Sequence, residues 1–386
     1  MKARGSRHIM KVLLVAVNIA VALTTVAAAY GGIVNPDITP IPAILAMTFP
    51  ACLIITLLLA ITDLLTFRKA ALIPLLTIVA TLPSISGIIP LNIFEKKANG
   101  GDKPSFTMIS YNVYHLTDWN KRSEGVTDPD RWRRDADAGL VNPTLSFILH
   151  AAPDLGCFQE MPPELTDPAR TAIRWKLISQ SQADSLAQLF PRRTGFDSEI
   201  IMTRFPMRPV TLRQPESETS SFAAAVVDIL GKETLVVSAH FESIGLSPED
   251  KELYRELTKG EAHSKRDISR VRHQLLPKLA HAFKARAAQA RLLREQIDSI
   301  GIHNVIISGD FNDIPGCYAI RTLCGNDFKT AFSEAGTISL PTYHGNRFYF
   351  HIDHILYRGD FRAVAYSRPR IPYSDHYPVM ATFTLQ

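Results

Sequence analysis

The sequence predicts an α/β domain that follows three membrane-spanning helices. One observation is a sharp division of charge: the 386-residue chain is almost free of charged side chains from Met10 to Ile93, and has the composition of a soluble protein from Glu95 onward. The other is that short β-rich runs in the second part alternate with helical patterns. Strands mixed with helices predict two layers of sheet, or a sheet covered by helices.

Three apolar stretches in the first part are each long enough to cross the hydrocarbon core of a bilayer, which requires about 20 residues. They cover Met10–Ala29, Ile41–Leu64 and Ala70–Ile93. A signal peptide followed by buried core helices is the alternative, since basic residues precede the first stretch. The two further stretches favour an N-terminal membrane anchor with three transmembrane helices, residues 1–94.

Basic residues in the short loops predict how the anchor is oriented. The N-terminus carries four of them, the loop between the first two stretches carries none, and the next loop carries Arg68 and Lys69. Because basic loops remain in the cytoplasm, this pattern places everything after Ile93 on the periplasmic or extracytoplasmic side. We expect a flexible linker over residues 95–104, which contains Asn99-Gly100-Gly101, and a soluble domain over residues 105–386.

Charge and cysteine content narrow the function only a little. The formal net charge of +5 permits an anionic partner without requiring one. The four cysteines are Cys52, Cys157, Cys317 and Cys324, and they show no C-x-x-C spacing of a metal site. Whether Cys317 and Cys324 pair is left open by the sequence.

The soluble part contains nine β-rich runs and one clear helix. The helix covers Pro277–Ile297. The runs are Phe106–Tyr111, Leu155–Gln159, Ile200–Thr203, Ala223–Ile229, Thr234–Ala239, Val305–Ser308, His351–Tyr357, Ala363–Ser367 and Val379–Leu385.

Acidic, amide or imidazole side chains stand where apolar runs stop or begin. The six segments are Tyr111-Asn112, Gln159-Glu160, Ala239-His240, Ser308-Gly309-Asp310-Phe311-Asn312, Ile352-Asp353-His354 and Ser374-Asp375-His376. Strands that end in this way can deliver their polar side chains to one rim of a sheet. Together they predict a single polar cleft on a rigid scaffold.

These six segments, in this order, resemble the endonuclease/exonuclease/phosphatase superfamily over residues 105–386. The most specific pieces are Ser308-Gly309-Asp310-Phe311-Asn312 and the run Ser-Asp-His-Tyr-Pro-Val that begins at Ser374. The chain resembles a membrane-anchored, bacterial-type member. The resemblance implies a DNase I-like, four-layer α/β sandwich with two central mixed β-sheets, and Mg²⁺- or Mn²⁺-dependent hydrolysis of phosphate monoesters or diesters.

The resemblance also implies a role for each candidate site residue. Metal binding is implied for Asn112, Glu160 and Asp375; catalysis for His240, Asp310, Asn312, Asp353 and His376; and substrate binding for Asn112, Asn312 and His240. Asp310 would orient or deprotonate the attacking water, and Asp353 would fix the imidazole of His376.

Residue spacing adds an expectation of its own. Asp310 and Asn312 would point the same way if the segment stays extended, with Phe311 toward the core. By the same alternation His354 points away from Asp353, so it is left out of the site.

A basic segment at about residues 244–284 follows His240. It would gather an anionic substrate or lie on lipid headgroups, although a solvated amphipathic surface is the favoured alternative. The basic side chains concerned are Lys265, Arg266, Arg270 and Arg272. Trp119 and the charged loop Lys121–Arg134 are further candidates to line the cleft.

The leading hypothesis is therefore an active phosphoesterase, with in-line attack by a water that the metal and Asp310 activate. Its partners would be the membrane and a phosphate ester, either nucleic acid, lipid or small molecule, with no obligate protein partner. An extracytoplasmic nuclease, a phospholipid or sphingolipid phosphodiesterase and a phosphomonoesterase stay open, since fold does not fix substrate. A non-catalytic, membrane-tethered binding domain is the rival class. A DNA-repair role is disfavoured by the predicted location.

Overall fold

The computed structural model describes residues 2–90, 103–117, 142–166, 178–259, 264–337, 340–345 and 349–386. Trp119, the loop Lys121–Arg134 and most of the predicted linker lie outside these residues, so the expectations about them stay predictions.

The N-terminal part is a bundle of helices. They are α1 (Lys2–Tyr30), α2 (Ile41–Ala46), α3 (Phe49–Thr66), α4 (Leu72–Ala80) and α5 (Leu82–Ile88), with a 3₁₀ turn at Gly31–Ile33. In the described part of the chain, two helices are long and apolar enough to cross a membrane, by length and composition only: Ile9–Ile33 and Phe49–Thr66.

The prediction of a third long helix over Ala70–Ile93 is wrong. The chain forms α4, breaks at Thr81 and forms the shorter α5. Pro83 lies in the first turn of α5. Proline has no backbone N–H, and its ring clashes with the carbonyl four residues earlier, so α4 cannot continue through this position.

Two polar contacts join α1 to α3 inside the apolar bundle. The Asn18 amide donates to an Asp63 carboxylate oxygen at 2.5 Å, and the hydroxyls of Thr25 and Thr56 lie 2.9 Å apart. All four side chains are buried. Hydrogen bonds between apolar helices stabilise their association modestly, and these two fix the register of α1 against α3.

The remaining elements build the α/β part. The strands are β1 (Ser105–Asn112), β2 (Leu155–Gln159), β3 (Arg192–Phe196), β4 (Glu199–Thr203), β5 (Met207–Val210), β6 (Ser221–Ile229), β7 (Lys232–His240), β8 (Asn304–Asp310), β9 (Lys329–Thr330), β10 (Asp353–Arg358), β11 (Phe361–Ser367) and β12 (Val379–Leu385). The helices are α6 (Pro143–Ala151), α7 (Gln180–Leu189), α8 (Pro248–Lys259), α9 (Lys265–Arg270), α10 (Leu276–Ile300), α11 (Tyr318–Cys324) and α12 (Ala331–Ala335).

The strands form two six-stranded mixed sheets. The first has the order β11-β12-β1-β2-β4-β3, and the second has the order β5-β6-β7-β8-β10-β9. The central pairs β1–β2 and β7–β8 are parallel, and the other named pairs are antiparallel. Both sheets contribute to one buried cluster between them, which includes Met108, Ile201, Val236 and Ile306.

Helices cover the two outer faces. On the first sheet, Leu145 and Ile148 of α6 and Leu186 of α7 pack with Tyr111. On the second sheet, Leu293 of α10 belongs to the outer cluster together with residues of α11. The arrangement confirms the predicted α/β sandwich with two central mixed sheets.

The two parallel pairs determine where polar side chains collect. Asn112 is in register with Gln159, and His240 is in register with Asp310, at the carboxyl ends of the four strands. The Gln159 amide donates to the Ser238 hydroxyl across the sheets at 2.9 Å. The strand ends of both sheets therefore meet at the same edge of the sandwich.

The connection between α1 and α3, residues 31–48, lies against the α/β part and is called the connecting segment. Asp37 forms an ion pair with Arg291 of α10 at 2.6 Å. Gly32 lies so close to Gly316 that a Cβ there would be 1.9 Å from the Gly316 carbonyl oxygen. Ala43 and Ala46 of α2 are buried in one cluster with Phe283 and Cys317.

The basic segment forms α8, α9, a π-helical turn at Val271–Leu275 and the start of α10. The Arg270 guanidinium forms a hydrogen bond within the segment, donating to the Glu249 carbonyl at 3.2 Å. Arg266 and Arg272 are exposed, and the side chain of Lys265 lies outside what the structure describes. All four cysteines are free, with Cys317 at the start of α11 and Cys324 at its end.

Candidate active site

A cavity of about 520 Å³ opens at the edge where the parallel strands end. Most of the predicted site residues line it, namely Glu160, His240, Asp310, Asn312, Asp375 and His376. Asn112 and Asp353 are not part of the lining. They are buried behind it and contact residues that are.

The acidic side of the cavity is built by the ends of β1 and β2. The Asn112 amide donates to Glu160 Oε1 at 2.9 Å and to Asp310 Oδ2 at 3.2 Å. Its own oxygen accepts from the Tyr114 backbone N–H at 3.1 Å. In this geometry the amide nitrogen, rather than the oxygen expected of a metal ligand, faces the two carboxylates. Asn112 therefore holds Glu160 and Asp310 together.

Asp375 completes the acidic side from the loop before β12. The Ser374 hydroxyl donates to the Asn112 carbonyl at 2.7 Å, which fixes this loop against the end of β1. Burial raises the pKa of Asp375 to about 6, and the negative charges of Glu160 and Asp310 add to this effect against the charge of His376.

The carboxylate of Asp310 is the centre of the site. Its Oδ2 atom lies 3.6 Å from His240 Nε2 and 3.4 Å from His376 Nε2. Its Oδ1 atom accepts from the Asn312 backbone N–H at 2.9 Å. One buried carboxylate thus lies between two imidazoles, a geometry in which protons can be held on either side of it.

The imidazole of His376 is fixed by Asp353. Its Nδ1 lies 2.9 Å from Asp353 Oδ2 and 3.2 Å from Oδ1, and both side chains are buried. Burial alone lowers the pKa of His376, but the carboxylates of Asp353 and Asp310 outweigh it and raise that pKa well above its usual value. The ring also packs against Tyr343, with centroids 4.9 Å apart.

His240 has a buried carboxylate partner that the sequence did not reveal. Its Nδ1 lies 3.5 Å from Glu199 Oε1, and Glu199 is fully buried at the start of β4. Burial opposes the charged imidazole, but the hydrogen bond with Glu199 and the charges of Asp310 and Glu160 raise the pKa of His240 to about 9. The imidazole therefore carries a proton at neutral pH.

The expected extended geometry of Asp310 and Asn312 is wrong. β8 ends at Asp310, and Asn312 has a φ of +50°, so the chain turns there. Two hydrogen bonds of Asn312 fix the turn. Its backbone N–H donates to Asp310 Oδ1, and its side-chain amide donates to the Phe241 carbonyl at 2.9 Å. Phe311 is buried, as expected, and both polar side chains reach the cavity by the turn instead of by alternation.

A left-handed turn follows β1 beside the acidic side. Tyr114, His115 and Leu116 have φ values of +49°, +52° and +57°. Such a conformation costs about 1–2 kcal/mol per non-glycine residue. His115 donates its backbone N–H to the Glu160 carbonyl at 2.8 Å, and its Nε2 lies 3.5 Å from Glu160 Oε2. The strained turn therefore places the His115 imidazole beside the Glu160 carboxylate.

His354 does not belong to the site, in line with the sequence prediction. It is buried, and its Nε2 lies 2.9 Å from the Asp313 carbonyl oxygen. Burial lowers its pKa to about 4, so the ring is neutral.

Comparison with known protein families identifies the family of this chain. The model of the Endonuclease/Exonuclease/phosphatase family matches residues 109–376, which is well over half of the chain. The chain belongs to the endonuclease/exonuclease/phosphatase family. This confirms the prediction of an enzyme of the phosphoester-hydrolase type. A second family model, described as a domain of unknown function (DUF8431), matches residues 10–88.

No curated protein matches the sequence significantly. Among solved structures, an endonuclease/exonuclease/phosphatase from Bacteroides vulgatus is 17% identical over 74% of this chain and 100% of its own, with a TM-score of 0.44. The human Nocturnin catalytic domain with bound sulfate is 14% identical over 74% and 96%, with a TM-score of 0.45. A mannosyl-6-phosphatase from Bacteroides thetaiotaomicron is 15% identical over 72% and 100%, with a TM-score of 0.42.

The family implies a divalent cation, and the donor chemistry of the site fits one. The carboxylates of Glu160 and Asp375 line the cavity together with that of Asp310, so three carboxylates come together there. Oxygen donors of this kind suit Mg²⁺ or Mn²⁺.

A second group of side chains has the spacing of a metal site, but its potential ligand atoms already contact one another. Ligand atoms of Asp310, Asp353 and His376 lie within 4.8 Å of one another. Both ring nitrogens of His376 face carboxylates, since Nδ1 is hydrogen-bonded to Asp353 at 2.9 Å and Nε2 lies 3.4 Å from Asp310 Oδ2.

Proposed function

We propose that this family member is a membrane-anchored, divalent-cation-dependent phosphoesterase that hydrolyses phosphodiester or phosphomonoester bonds. The observation that carries the proposal is the position of Asp310 Oδ2 between His240 and His376, beside the carboxylates of Glu160 and Asp375. A general base between two protonated imidazoles is suited to in-line displacement at a phosphoryl group.

Asp310 would accept the proton of the attacking water at its carboxylate while the water oxygen bonds to phosphorus. His376 would neutralise a phosphoryl oxygen as an imidazolium, with its orientation fixed by Asp353. His240 would donate its proton to the leaving oxygen as the phosphorus–oxygen ester bond breaks. The products are an alcohol and a phosphate group.

The distances also support a way to restore the starting state. After one turnover Asp310 holds a proton and His240 lacks one. Their atoms lie 3.6 Å apart, so a proton can pass from Asp310 to His240, either directly after a small movement or through one water. The site then returns to its initial protonation without an external base.

Glu160 and Asp375 would hold the cation, with Asn112 fixing Glu160. When bound, the cation would neutralise charge that develops on the phosphoryl and leaving oxygens. The carboxylates of Glu160, Asp310 and Asp375, which line one cavity, support this assignment, because a divalent cation would offset their charge.

We further propose that α1 and α3 anchor the chain in a membrane and that the α/β part lies outside the cytoplasm. The connecting segment touches the α/β part, so both would lie on the same side of the bilayer. After α3 the chain would return to this side along α4 and α5, since the Ser84 hydroxyl of α5 donates to the Ala29 carbonyl near the end of α1 at 2.8 Å. The basic N-terminus and Arg68-Lys69 lie at the ends of α1 and α3 that are far from the connecting segment. Basic ends of this kind remain in the cytoplasm.

The test uses the full chain in nanodiscs with bis-p-nitrophenyl phosphate, p-nitrophenyl phosphate and plasmid DNA, in Mg²⁺, Mn²⁺ or EDTA. Asp310→Asn should lower kcat by roughly 10²–10⁴-fold, because the base is lost and the shape is kept. Asp228→Asn is the matched control, since Asp228 is exposed on β6 and does not line the cavity.

Cation-dependent release from any of the substrates, lost in Asp310→Asn and kept in Asp228→Asn, is the expected result. A folded wild type that neither hydrolyses a substrate nor binds Mg²⁺ or Mn²⁺ by calorimetry would overturn the proposal and favour a non-catalytic binding domain.

A further inference from the structure

The lining of the cavity is divided into a charged side and an apolar wall. The charged side is formed by the carboxylates and imidazoles of the site. The name apolar wall is used for one packed group of lining side chains, Met47, Phe283 and Ile314. The guanidinium of Arg286, which also lines the cavity, lies 4.6 Å from the Phe283 ring centroid. Ile314 follows Asp310 by only four residues, so the wall begins next to the catalytic carboxylate.

One residue of this wall comes from the N-terminal part of the chain. Met47 lies at the end of the connecting segment, after α2 and directly before Thr48-Phe49, where α3 begins. It is partly buried, and its neighbours Ala43 and Ala46 pack against Phe283. The segment is held in place by the Asp37–Arg291 ion pair and by the contact of Gly32 with Gly316.

The position of Met47 relates the cavity to the apolar helices. α3 continues from Phe49 to Thr66 and exposes large apolar side chains, with Ile54 at 58% and Leu65 at 82% exposure. Exposed apolar surface of this extent on a long helix is suited to lipid contact. The apolar wall therefore lies next to the first residues of α3, the helix that exposes these apolar side chains.

We propose that the cavity takes a phosphate ester with an apolar chain, supplied by the membrane lipid in which α3 lies, and that Met47 is a specificity-determining residue that contacts this chain. The inference rests on the proposed phosphoesterase function. The charged side would receive the phosphoryl group, while the apolar wall would receive the carbon chain next to it. A hydrophilic ester would leave this wall in contact with water.

The size of the preference follows from the area that the wall can cover. Each buried CH₂ group contributes about fourfold to binding. If three such groups lie on the wall, an ester with a chain gains roughly 60-fold in kcat/KM over one without. A charge in the wall removes this gain, because the chain would then desolvate a carboxylate.

The experiment compares methyl p-nitrophenyl phosphate with hexyl p-nitrophenyl phosphate, which share a leaving group, on the full chain in nanodiscs. The wild type should prefer the hexyl ester by roughly 60-fold in kcat/KM. Met47→Asp should reduce kcat/KM for the hexyl ester at least about tenfold more than for the methyl ester. Met47→Leu, which conserves volume and polarity, should keep the preference.

Ile38→Asp is the matched control, because Ile38 lies in the same connecting segment, is 80% exposed and does not line the cavity. It should leave the preference unchanged. Equal kcat/KM for both esters in the wild type, or a preference that survives Met47→Asp, would overturn the inference while the proposed function stands. If neither ester is hydrolysed, the relative affinity for methyl and hexyl phosphonate decides the inference in its place, and the proposed function is decided by the three substrates named for it above.

A second arm identifies the source of the ester. Phosphatidylcholine and phosphatidylglycerol are supplied in the nanodisc, and headgroup release is followed by phosphorus NMR. Release that is lost in Asp310→Asn and lowered in Met47→Asp is the expected result. Selectivity for the hexyl ester without release from either lipid would assign the cavity to a soluble amphiphile and overturn the bilayer as its source.

Discussion

Replacing Glu199 by Gln tests whether the buried carboxylate keeps His240 protonated. Glu199 Oε1 lies 3.5 Å from His240 Nδ1, and both side chains are nearly inaccessible to solvent. The amide has the same shape but no charge. The amide oxygen can still accept from the ring N–H, but the charge is lost. Because a hydrogen bond to a charged group contributes about 1.5–3 kcal/mol, the pKa of His240 should fall from about 9 by roughly one to two units.

The sign of the stability effect follows from the raised pKa. A histidine whose pKa is higher in the folded than in the unfolded state stabilises the fold fully below its unfolded pKa of 6.5, and this contribution is lost as pH rises through about 9. Glu199→Gln should therefore lower the melting temperature most at pH 6–6.5. The difference should shrink as pH rises through about 9, because His240 then loses its proton in the wild type as well.

The assays are thermal melting and the hydrolysis of a p-nitrophenyl ester between pH 6 and 10, on the full chain in nanodiscs. The alkaline limb of kcat should move to lower pH by roughly one to two units, because the proton donor loses its proton at a lower pH. Glu233→Gln is the control, since Glu233 is exposed and its ion pair contributes little. A decrease in melting temperature that is the same at every pH would refute the reasoning.

Three further predictions follow from the site and from the connecting segment. Asp353→Asn should lower kcat by about 10²–10⁴-fold with little change in KM, because His376 loses its orientation; steady-state kinetics that show equal changes in both constants would contradict this. Mg²⁺ at about 100 times its Kd should stabilise the fold by about 2.7 kcal/mol, seen as a rise in melting temperature that Asp375→Asn diminishes; an equal rise in both proteins would place the cation elsewhere. Gly32→Val should separate the connecting segment from Gly316, since its Cβ would collide with a carbonyl oxygen; hydrogen exchange of residues 31–48 should increase, and unchanged protection would contradict the docking.

The central strands could be predicted because their burial is encoded locally, whereas β3, β5 and β9, at the edges of the sheets, were not predicted. β2 was predicted with its observed bounds, and β8 was predicted within two residues of its end. Both are continuous apolar runs, as expected for strands covered on both faces. The polar residues after them could be singled out for the same reason, because a carboxylate at the end of a buried run has few structural uses.

Other features depend on contacts that are distant in sequence. Glu199 looks like a strand-end acid until β4 places it beside His240, and only its position before an apolar run hints at burial. Met47 falls in the apolar stretch Ile41–Leu64 that was predicted to cross the membrane, but α3 begins only at Phe49. Its place in the cavity arises from the docking of α2 on α10. The prediction of a third membrane span is wrong for a local reason, because hydropathy does not detect the helix break that Pro83 imposes.

The docking of the connecting segment also orders the events of biosynthesis. Residues 31–48 leave the ribosome before any strand of the two sheets, so they are in place when β8 and α10 form. Domains fold as they are made, from the N-terminus onward. The α/β part therefore completes its cavity against a surface that already exists. A chain released from its N-terminal helices by cleavage after residue 90 would keep every carboxylate and imidazole of the site, yet it would lack Met47 and with it part of the apolar wall of the cavity.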